Sequence, residues 1–270
     1  MPTDQVLQEF RDIVWQYSRA HWRDMPWRSD PTPYNALVSE IMLQQTQVSR
    51  VLPKFELFVS QFPTIQDLAK ASLASVLVAW NGLGYNRRAK FLHAGAIDIV
   101  SKGSGRVPNS IEELIKLPGI GPNTAGAIMA YAYNQPVVFV ETNIRTVFFY
   151  HFFAGQDKVD DKELLPFVQR TLDVEHPREW YWALMDYGTH LKQTVGNNIS
   201  RSKQYSRQSK FEGSRRQIRG EVIRRLAMGR ADISDIIDDR LEVVVDDLIR
   251  EGLVERSAGQ IRLTQLAELP

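Results

Sequence analysis

The sequence predicts a mainly α-helical protein that ends in a small winged-helix-like module. Three observations predict this fold class. Apolar residues recur at helical spacing through most of the first 200 residues, and a glycine-tight turn joins two helical patterns at residues 117–128. Residues 214–270 differ, because two short β-prone runs there flank a turn at Ala258-Gly259-Gln260. We therefore expect helices to form the main body and a helix-and-hairpin module to follow it.

Helical periodicity and cap residues place the elements of the first 200 residues. Thr64 and Ser72 are expected to open helices as N-cap residues, and a glycine turn at residues 82–84 precedes the helix at 87–100. Ser110-Ile111-Glu112-Glu113 has the form of a capping box, so a helix should start near Ile111. The remaining segments are helices at residues 5–20, 34–59 with a break near 47–53, 143–153, 162–172 and 179–190, proline-bearing linkers at 23–28 and 31–33, and an extended buried connection at 137–140.

The segment at residues 117–128, Leu-Pro-Gly-Ile-Gly-Pro-Asn-Thr-Ala-Gly-Ala-Ile, is the most informative of the chain. Pro118-Gly119 ends the first helix, Gly121 lets the backbone turn close to another group, and Pro122 suits the first position of the next helix. The outward N–H groups of that helix start predict a site for a phosphate oxygen of DNA, which would be held without reading the base sequence. The alternative is an ordinary helical hairpin.

Three helices are expected in the C-terminal module, at residues 215–228, 233–237 and 241–250, followed by a hairpin of residues 253–256 and 261–264. In a winged helix the third helix normally enters the major groove. Here it carries acidic residues that phosphates would repel, namely Glu242, Asp246, Asp247 and Glu251. The basic first helix is therefore the better candidate to contact DNA, through Arg215, Arg216 and Arg219, unless the module mainly contacts protein.

Composition and charge exclude several classes of protein. The 270 residues, 43% hydrophobic and 24% charged, are typical of a globular chain with two or three compact units. The absence of cysteine excludes disulfides, thiol nucleophiles and iron–sulfur clusters, and the five histidines lack metal-ligand spacing. No apolar run has the length of a membrane span, so we expect a soluble cytoplasmic protein. The net charge is only +1, but residues 192–230 are strongly basic. We interpret residues 195–213 as a basic linker that lies along DNA or along the seam between domains. The alternative is a linker that is simply solvated.

Four segments occur together in an order and spacing that characterise a known family: residues 39–48 (Ser-Glu-Ile-Met-Leu-Gln-Gln-Thr-Gln-Val), 80–85 (Trp-Asn-Gly-Leu-Gly-Tyr), 117–128 and 140–145 (Val-Glu-Thr-Asn-Ile-Arg). On these the chain resembles the helix-hairpin-helix (HhH-GPD) DNA glycosylases of the endonuclease III superfamily, most closely the MutY-type adenine glycosylases. The resemblance covers residues 5–190 and implies a two-lobed helix-hairpin-helix glycosylase fold, with double-stranded DNA in the groove between the lobes and the target base flipped into a pocket. The implied divisions are residues 1–29 with 137–194, 30–136, the linker 195–213 and the module 214–270.

Two glutamates fit the chemistry of base removal. Hydrolysis of an N-glycosidic bond is helped by an acid that protonates the base and by a carboxylate that offsets positive charge on the sugar. We assign Glu40 as the acid and Glu141 as the carboxylate. The superfamily normally has Asp at the second position, so either the loop is recessed and the longer side chain reaches the sugar, which we favour, or the activity is altered. Glu141 could also cap the helix that follows it.

The resemblance assigns roles to further residues. Asn143 would position the attacking water, Arg28 would lie near the flipped base, and Asn123 stands where bifunctional relatives carry the Schiff-base lysine. Because asparagine cannot form that adduct, we expect a monofunctional enzyme without β-lyase activity, with Asn123 in the base pocket. Gln45 would wedge into the duplex. The other candidate DNA-binding residues are Tyr85, Asn86, Gly119, Gly121 and Thr124.

Departures from the family bear on cofactor and substrate. The iron–sulfur cysteines expected after about residue 190 are absent, and Asn86 replaces a tyrosine beside the opposite base. A winged-helix-like module stands in place of the domain with which MutY-type enzymes recognise 8-oxoguanine. We therefore expect no cofactor, apart from a monovalent cation that the hairpin could hold.

The favoured function is a monomeric, nucleoid-associated glycosylase of base excision repair that removes adenine opposite guanine or 8-oxoguanine. The departures at residues 86, 123 and 141 keep open a thymine or uracil glycosylase that acts opposite guanine. Glu141 also keeps open a protein that binds mispairs without cutting. A winged-helix transcription factor is the weakest alternative, because the third helix of the module is acidic.

Overall fold

The computed structural model describes residues 2–207, 210–230, 232–257 and 259–265, which form a mainly helical protein, as the sequence predicts. The helices are α1 Asp4–Ala20, α2 Pro26–Ser29, α3 Pro33–Leu43, α4 Val48–Gln61, α5 Ile65–Lys70, α6 Leu73–Ala79, α7 Arg87–Lys102, α8 Ile111–Leu114, α9 Pro122–Tyr133, α10 Thr142–Phe152, α11 Asp161–Thr171, α12 Pro177–Thr194, α13 Arg215–Ala227 and α14 Leu241–Arg250. Strands β1 Val254–Ser257 and β2 Gln260–Leu263 pair antiparallel. None of the helices in these ranges has both the length and the apolar character to cross a membrane.

Polar caps fix where the short central helices begin. Thr64 Oγ1 accepts a hydrogen bond from the backbone N–H of Asp67, and the Asp67 carboxylate accepts from the Thr64 N–H, both at 3.1 Å. These two bonds close a capping box at the start of α5. Ser72 Oγ accepts from the N–H of Ser75 at 3.1 Å and opens α6. Both predicted helix starts are confirmed.

The first compact unit draws on the described residues of Met1–Ala36, Asn109–Ile111 and Gly121–Arg207. Its core packs around α10 and α12 and is rich in aromatic rings. Trp180, Tyr181 and Phe148 are fully buried there. Phe10 of α1 joins them, with its ring centroid 5.3 Å from that of Phe148. This core fixes the start of α10 against α12.

The second unit draws on the described residues of Leu37–Pro108, Glu112–Ile120 and Gln208–Pro270. Trp80 is fully buried in it, with its ring edge-on to Phe58 at a centroid distance of 6.0 Å. The C-terminal module packs on the same unit, because α13 and β2 contact α6. Lys90 Nζ of α7 also donates to the Glu251 carbonyl oxygen at 2.6 Å, at the negative end of the α14 dipole.

These units differ from the lobes expected from the sequence. The expectation grouped residues 122–133 with 30–120 and kept 214–270 separate. Helix α9 instead joins the first unit, because Ala127, Ala130 and Tyr131 fill its core. Periodicity shows that a helix has a buried face, but it does not show which neighbour covers that face.

Three local predictions of secondary structure are wrong. The helix break expected near residues 47–53 lies at residues 44–47, because α4 begins at Val48 and continues through Pro53. The expected linker at residues 23–28 contains the one-turn helix Pro26–Ser29, because Pro26 suits the first helical position, where no N–H is needed. The expected helix at residues 233–237 is a turn. Asp232 Oδ1 accepts hydrogen bonds from both the N–H and the hydroxyl of Ser234, and such side chain-to-backbone bonds compete with helix formation.

Part of the predicted linker at residues 195–213 is docked on the first unit. Residues Ile199–Arg201 form a 3-10 turn, and the Val159 N–H donates to the Arg201 carbonyl at 2.9 Å. Asn198 Nδ2 donates to the Thr146 carbonyl of α10 at 3.2 Å. The merely solvated alternative is therefore wrong for this part of the linker. These hydrogen bonds involve backbone and polar side-chain groups, which leave no periodic pattern in the sequence.

Candidate active-site residues

Glu141 lies at the end of the segment that leads from α9 to α10. This segment, predicted to be extended and buried, lies outside the helices and strands; Phe139 and Val140 are each less than 3% exposed, whereas Val137 and Val138 are half-buried. The Val140 N–H donates to Asn123 Oδ1 at 3.4 Å, which ties the segment to the first turn of α9. A Cβ at Gly126 would lie 2.8 Å from Phe139 Cβ, so the close packing of α9 on this segment requires glycine. Packing and a hydrogen bond therefore hold the backbone that carries the half-buried Glu141.

Burial changes the acidity of Glu141. This residue is the N-cap of α10, but in the described structure its side chain makes no capping hydrogen bond, so the capping interpretation is not supported. Burial raises its pKa to about 7, while the positive charges of Lys192 and Arg145 act to lower the pKa. Arg145 is itself bound to Asp161 by two hydrogen bonds of 2.6 Å. Glu141 is thus a carboxyl group that changes charge near neutral pH.

Asn143 lies where α10 and α12 make a close crossing. A Cβ at Gly188 of α12 would lie 2.6 Å from the Asn143 carbonyl oxygen. One turn further along α12, Lys192 Nζ donates to Asn143 Oδ1 at 2.6 Å. Asn143 Nδ2 lies 3.6 Å from Met185 Sδ. The side-chain amide two residues after Glu141 is therefore held on both of its polar ends.

We expect Gly188→Ala to lower the free energy of unfolding by about 1–3 kcal/mol, because the added methyl group must push α10 and α12 apart. The measurement is urea unfolding followed by circular dichroism. The matched control is Gly220→Ala in α13, where a Cβ would meet no atom within 4 Å and should leave stability equal or slightly higher. Equal stability of the two variants would contradict the close crossing.

Arg28 is buried in an ion pair. Its Nη1 and Nη2 donate to the two carboxylate oxygens of Asp186 at 2.8 and 2.9 Å, and the residue is 7% exposed. The ring centroids of Trp22 and Trp182 lie 5.1 and 5.5 Å from the guanidinium carbon. This geometry gives Arg28 a structural role, because removal of one partner leaves a buried charge unpaired. Its contact with a flipped base stays a prediction.

The hairpin depends on the first of its two glycines. Gly119 has φ +78°, and a Cβ there would lie 3.0 Å from the Phe91 ring. Gly121 is extended, with φ −95°, and a Cβ there would meet no atom of the described chain within 4 Å, so the close approach of another group to Gly121 stays a prediction. Pro122 occupies the first turn of α9 as predicted, and Thr124 lies in the same turn. The phosphate site at this helix start stays a prediction.

In the second unit, Glu40 lies within α3 in a buried stretch. Its neighbours Ser39 and Ile41 are each 2% exposed, while Glu40 is half-buried.

Gln45 and Tyr85, both predicted to contact DNA, have φ values of +53° and +48°, a conformation that non-glycine residues rarely adopt. Strained residues of this kind concentrate at functional sites.

Arg88 holds the two loops that carry Gln45 and Tyr85. Its guanidinium is buried and donates to oxygen atoms on both loops. The acceptors are the carbonyls of Ile41, Met42, Gln44, Leu83 and Gly84 and the hydroxyl of Thr46, at 2.6–3.3 Å. Asn86, the N-cap residue of α7, follows the second loop directly. One side chain therefore links the two loops that carry the predicted DNA-contacting residues.

The predicted DNA-binding arginines of α13 have partners within the second unit. Arg219 Nη2 donates to Glu251 Oε2 at 2.5 Å, and Arg215 lies 3.8 Å from Asp247. Arg216 Nη1 donates to the Tyr85 hydroxyl at 2.7 Å. The acidic residues of α14 thus balance the charge of α13. The contact of α13 with DNA stays a prediction, and Arg216 is the member that lies beside another predicted DNA-contacting residue.

Sequence reasoning missed Lys192, Asp186 and Arg88. Lys192 and Gly188 are four residues apart, so the sequence could have shown that they share one face of a helix. Nothing in the sequence indicates that this face meets Asn143.

Among the described residues no group of three or more His, Cys, Asp or Glu could hold a metal ion. The sequence also has no cysteine, so it lacks the thiolate ligands that an iron–sulfur cluster requires.

Comparisons with known proteins agree with the features above. Residues 38–166 match the HhH-GPD superfamily base excision DNA repair protein family. The adenine DNA glycosylase of Mycobacterium tuberculosis (strain ATCC 25618 / H37Rv) is 48% identical over 136 residues, which are 50% of this chain and 44% of that protein. The adenine DNA glycosylase of Buchnera aphidicola subsp. Baizongia pistaciae is 36% identical over 184 residues, which are 68% of this chain and 52% of that protein. The chain spans about half the length of the curated relatives it matches.

Solved structures show the same fold. A non-covalent endonuclease III–DNA complex superposes with a TM-score of 0.63 at 19% identity, and covers 73% of this chain and 91% of that chain. A thermostable thymine-DNA glycosylase superposes with a TM-score of 0.60 at 23% identity, and covers 68% of this chain and 86% of that chain. Residues 38–166 therefore belong to the HhH-GPD superfamily of base excision DNA repair proteins, and the chain is similar to the endonuclease III/MutY-type glycosylases of that superfamily.

Proposed function

We propose that the protein is a monofunctional DNA glycosylase that removes adenine opposite guanine or 8-oxoguanine in double-stranded DNA. The observation that supports it most is the grouping of Glu141, Asn143 and Lys192, in a chain whose curated relatives are adenine DNA glycosylases. A carboxyl group that ionises near neutral pH, beside a fixed amide, suits a step in which positive charge develops next to an incoming water.

The proposed reaction uses two carboxyl groups and one water. Glu40 donates a proton to the adenine as the bond from N9 to C1′ breaks, and the bonding electrons leave with the base. The Glu141 carboxylate stabilises the positive charge that develops on the sugar. Asn143 orients the water whose oxygen joins C1′, and the Glu40 carboxylate takes up the proton that this water releases. Glu40 thereby returns to its acid form.

The same proposal covers product, cofactor and location. Asn123 has no amine to attack the sugar, so the product is an intact abasic site. The acid, the carboxylate and the water-orienting amide all come from the chain, so the proposed reaction needs no cofactor. We propose that the protein acts as a monomer on chromosomal DNA, in the nucleoid. The monovalent cation in the hairpin stays a prediction.

The test is a panel of end-labelled duplexes with one A:8-oxoguanine, A:G, T:G or U:G pair, incubated with the protein and then treated with alkali. We expect strand cleavage at the adenine of the first two duplexes, and only after alkali. Absence of cleavage at adenine under all conditions contradicts the proposal. Cleavage at thymine or uracil instead supports the alternative glycosylase. Tight binding of a mispair without product, unchanged by Glu40→Gln, supports the non-catalytic protein.

Binding to duplex DNA is expected to weaken by at least about tenfold between 50 and 200 mM salt, because phosphate contacts release counterions. The measurement is fluorescence anisotropy of a labelled duplex titrated with the protein. A dissociation constant that does not change with salt contradicts phosphate binding at the start of α9.

A further inference from the structure

Lys192 occupies a place that no step of the proposed reaction uses. It lies on α12, four residues after Gly188, whose lack of a side chain lets α12 touch Asn143. Residues four apart share one face of a helix, so Lys192 also faces the start of α10. Its Nζ donates to Asn143 Oδ1 at 2.6 Å. The ammonium group is therefore fixed at the side chain of Asn143, two residues after Glu141.

The positive charges of two residues lower the pKa of Glu141, and these residues differ in what neutralises them. Arg145, on α10, is bound by both carboxylate oxygens of Asp161 from α11, so its charge is largely matched. Lys192, on α12, donates instead to a neutral amide oxygen. Burial raises the pKa of Glu141, and Lys192 opposes this more strongly than Arg145 does. Desolvation lowers the pKa of Lys192, and the charge of Glu141 acts against that change.

We propose that Lys192 is a positioning residue of the glycosylase reaction, which fixes the amide of Asn143 and supplies the charge that keeps Glu141 ionised. Its catalytic consequence rests on the proposed function, whereas its electrostatic effect exists in the free protein. Without Lys192, the remaining positive charge among the described residues that lowers the pKa of Glu141 is that of Arg145, which Asp161 already balances. Glu141 then stays protonated to higher pH, and a neutral carboxylic acid stabilises a sugar cation poorly.

The first test needs no DNA. Carbon-13 NMR of glutamate-labelled protein follows the titration of Glu141, whose signal is assigned by its loss in Glu141→Gln. We expect Lys192→Met to raise the midpoint by about one pH unit or more, and Lys192→Arg to restore it. The matched control is Lys203→Met, a lysine whose side chain is 52% exposed and whose ammonium lies 4.0 Å from Asp160. Should Lys192→Met not fold, Lys192→Gln makes the same comparison. An unchanged midpoint overturns the proposal.

The second test follows adenine release against pH in single turnover. A rise of one pH unit lowers the ionised fraction of Glu141 at pH 7 from about half to about a tenth, so Lys192→Met should be about fivefold slower at pH 7 and recover above pH 8. Lys192→Arg should keep the wild-type profile. A loss of equal size at every pH contradicts the charge role. A wild-type protein that releases no adenine overturns the proposed function, while the NMR titration still decides the role of Lys192.

Discussion

Replacement of Glu40 by glutamine is expected to slow adenine release by about 10²–10⁴-fold, with little change in DNA affinity. Glutamine has nearly the same shape as glutamate, but it cannot donate a proton, so adenine must leave unprotonated. The site tolerates the change, because Glu40 is half-buried in the regular helix α3. The measurement is the single-turnover rate of adenine release from an A:8-oxoguanine duplex, with the dissociation constant taken from anisotropy.

The matched control for this prediction is Glu56→Gln. Glu56 is exposed on α4 of the same unit, and its replacement changes net charge by the same amount. We expect that variant to release adenine at the wild-type rate. A Glu40→Gln variant that retains more than about a tenth of the wild-type rate shows that Glu40 is not the general acid.

Replacement of Glu141 by glutamine is expected to slow release by about 10²–10³-fold, because a preorganised charge next to the sugar is lost. It should also remove a pH dependence that the wild-type protein shows. Burial raises the pKa of Glu141 to about 7, so the group is neutral below that pH and ionised above it. Only the ionised form stabilises the sugar cation. The wild-type rate should therefore rise with pH up to about 7. Above that pH Glu141 is already ionised, so this group causes no further rise.

The charge-preserving variant Glu141→Asp distinguishes the effect of the carboxylate charge from the effect of side-chain length. It keeps a carboxylate one methylene shorter, so we expect it to keep the rise of rate with pH that Glu141→Gln loses. Both variants are measured in single turnover from pH 5.5 to 8.5. If Glu141→Gln keeps the wild-type pH profile, the titrating group is a different one and the role assigned to Glu141 is wrong.

The helices were largely predictable because their signals are local. Thr64 and Ser72 form their caps with residues three positions on, and both helix starts are where the sequence predicts them. The turn at residues 233–237 was not predictable in the same way, because its apolar residues suggest a helix while Asp232 bonds the following backbone. The grouping of α9 with the first unit depends on which core its buried face meets, and periodicity contains no such information.

In the candidate site, too, residues with local signals were predictable and long-range contacts were not. Glu40 and Glu141 could be nominated from short motifs, because their chemistry is carried by residue type and spacing. Arg28 was nominated too, but its partner Asp186 lies 158 residues away, and only the fold reveals that ion pair. Lys192 is a similar case, since its role depends on the crossing of α10 and α12. Long-range pairs of this kind determine charge state and orientation, which a sequence motif does not specify.

The most direct measurement of the central claim is free adenine, quantified by mass spectrometry, in single turnover on an A:8-oxoguanine duplex. Wild-type protein is compared with Glu40→Gln, Glu141→Gln and the double variant. If both carboxyl groups act on one nucleotide, wild type releases one adenine per duplex, and the double variant is about as slow as the slower single variant. The claim is contradicted if wild type releases no adenine, or if the two slowdowns multiply as they do for independent sites.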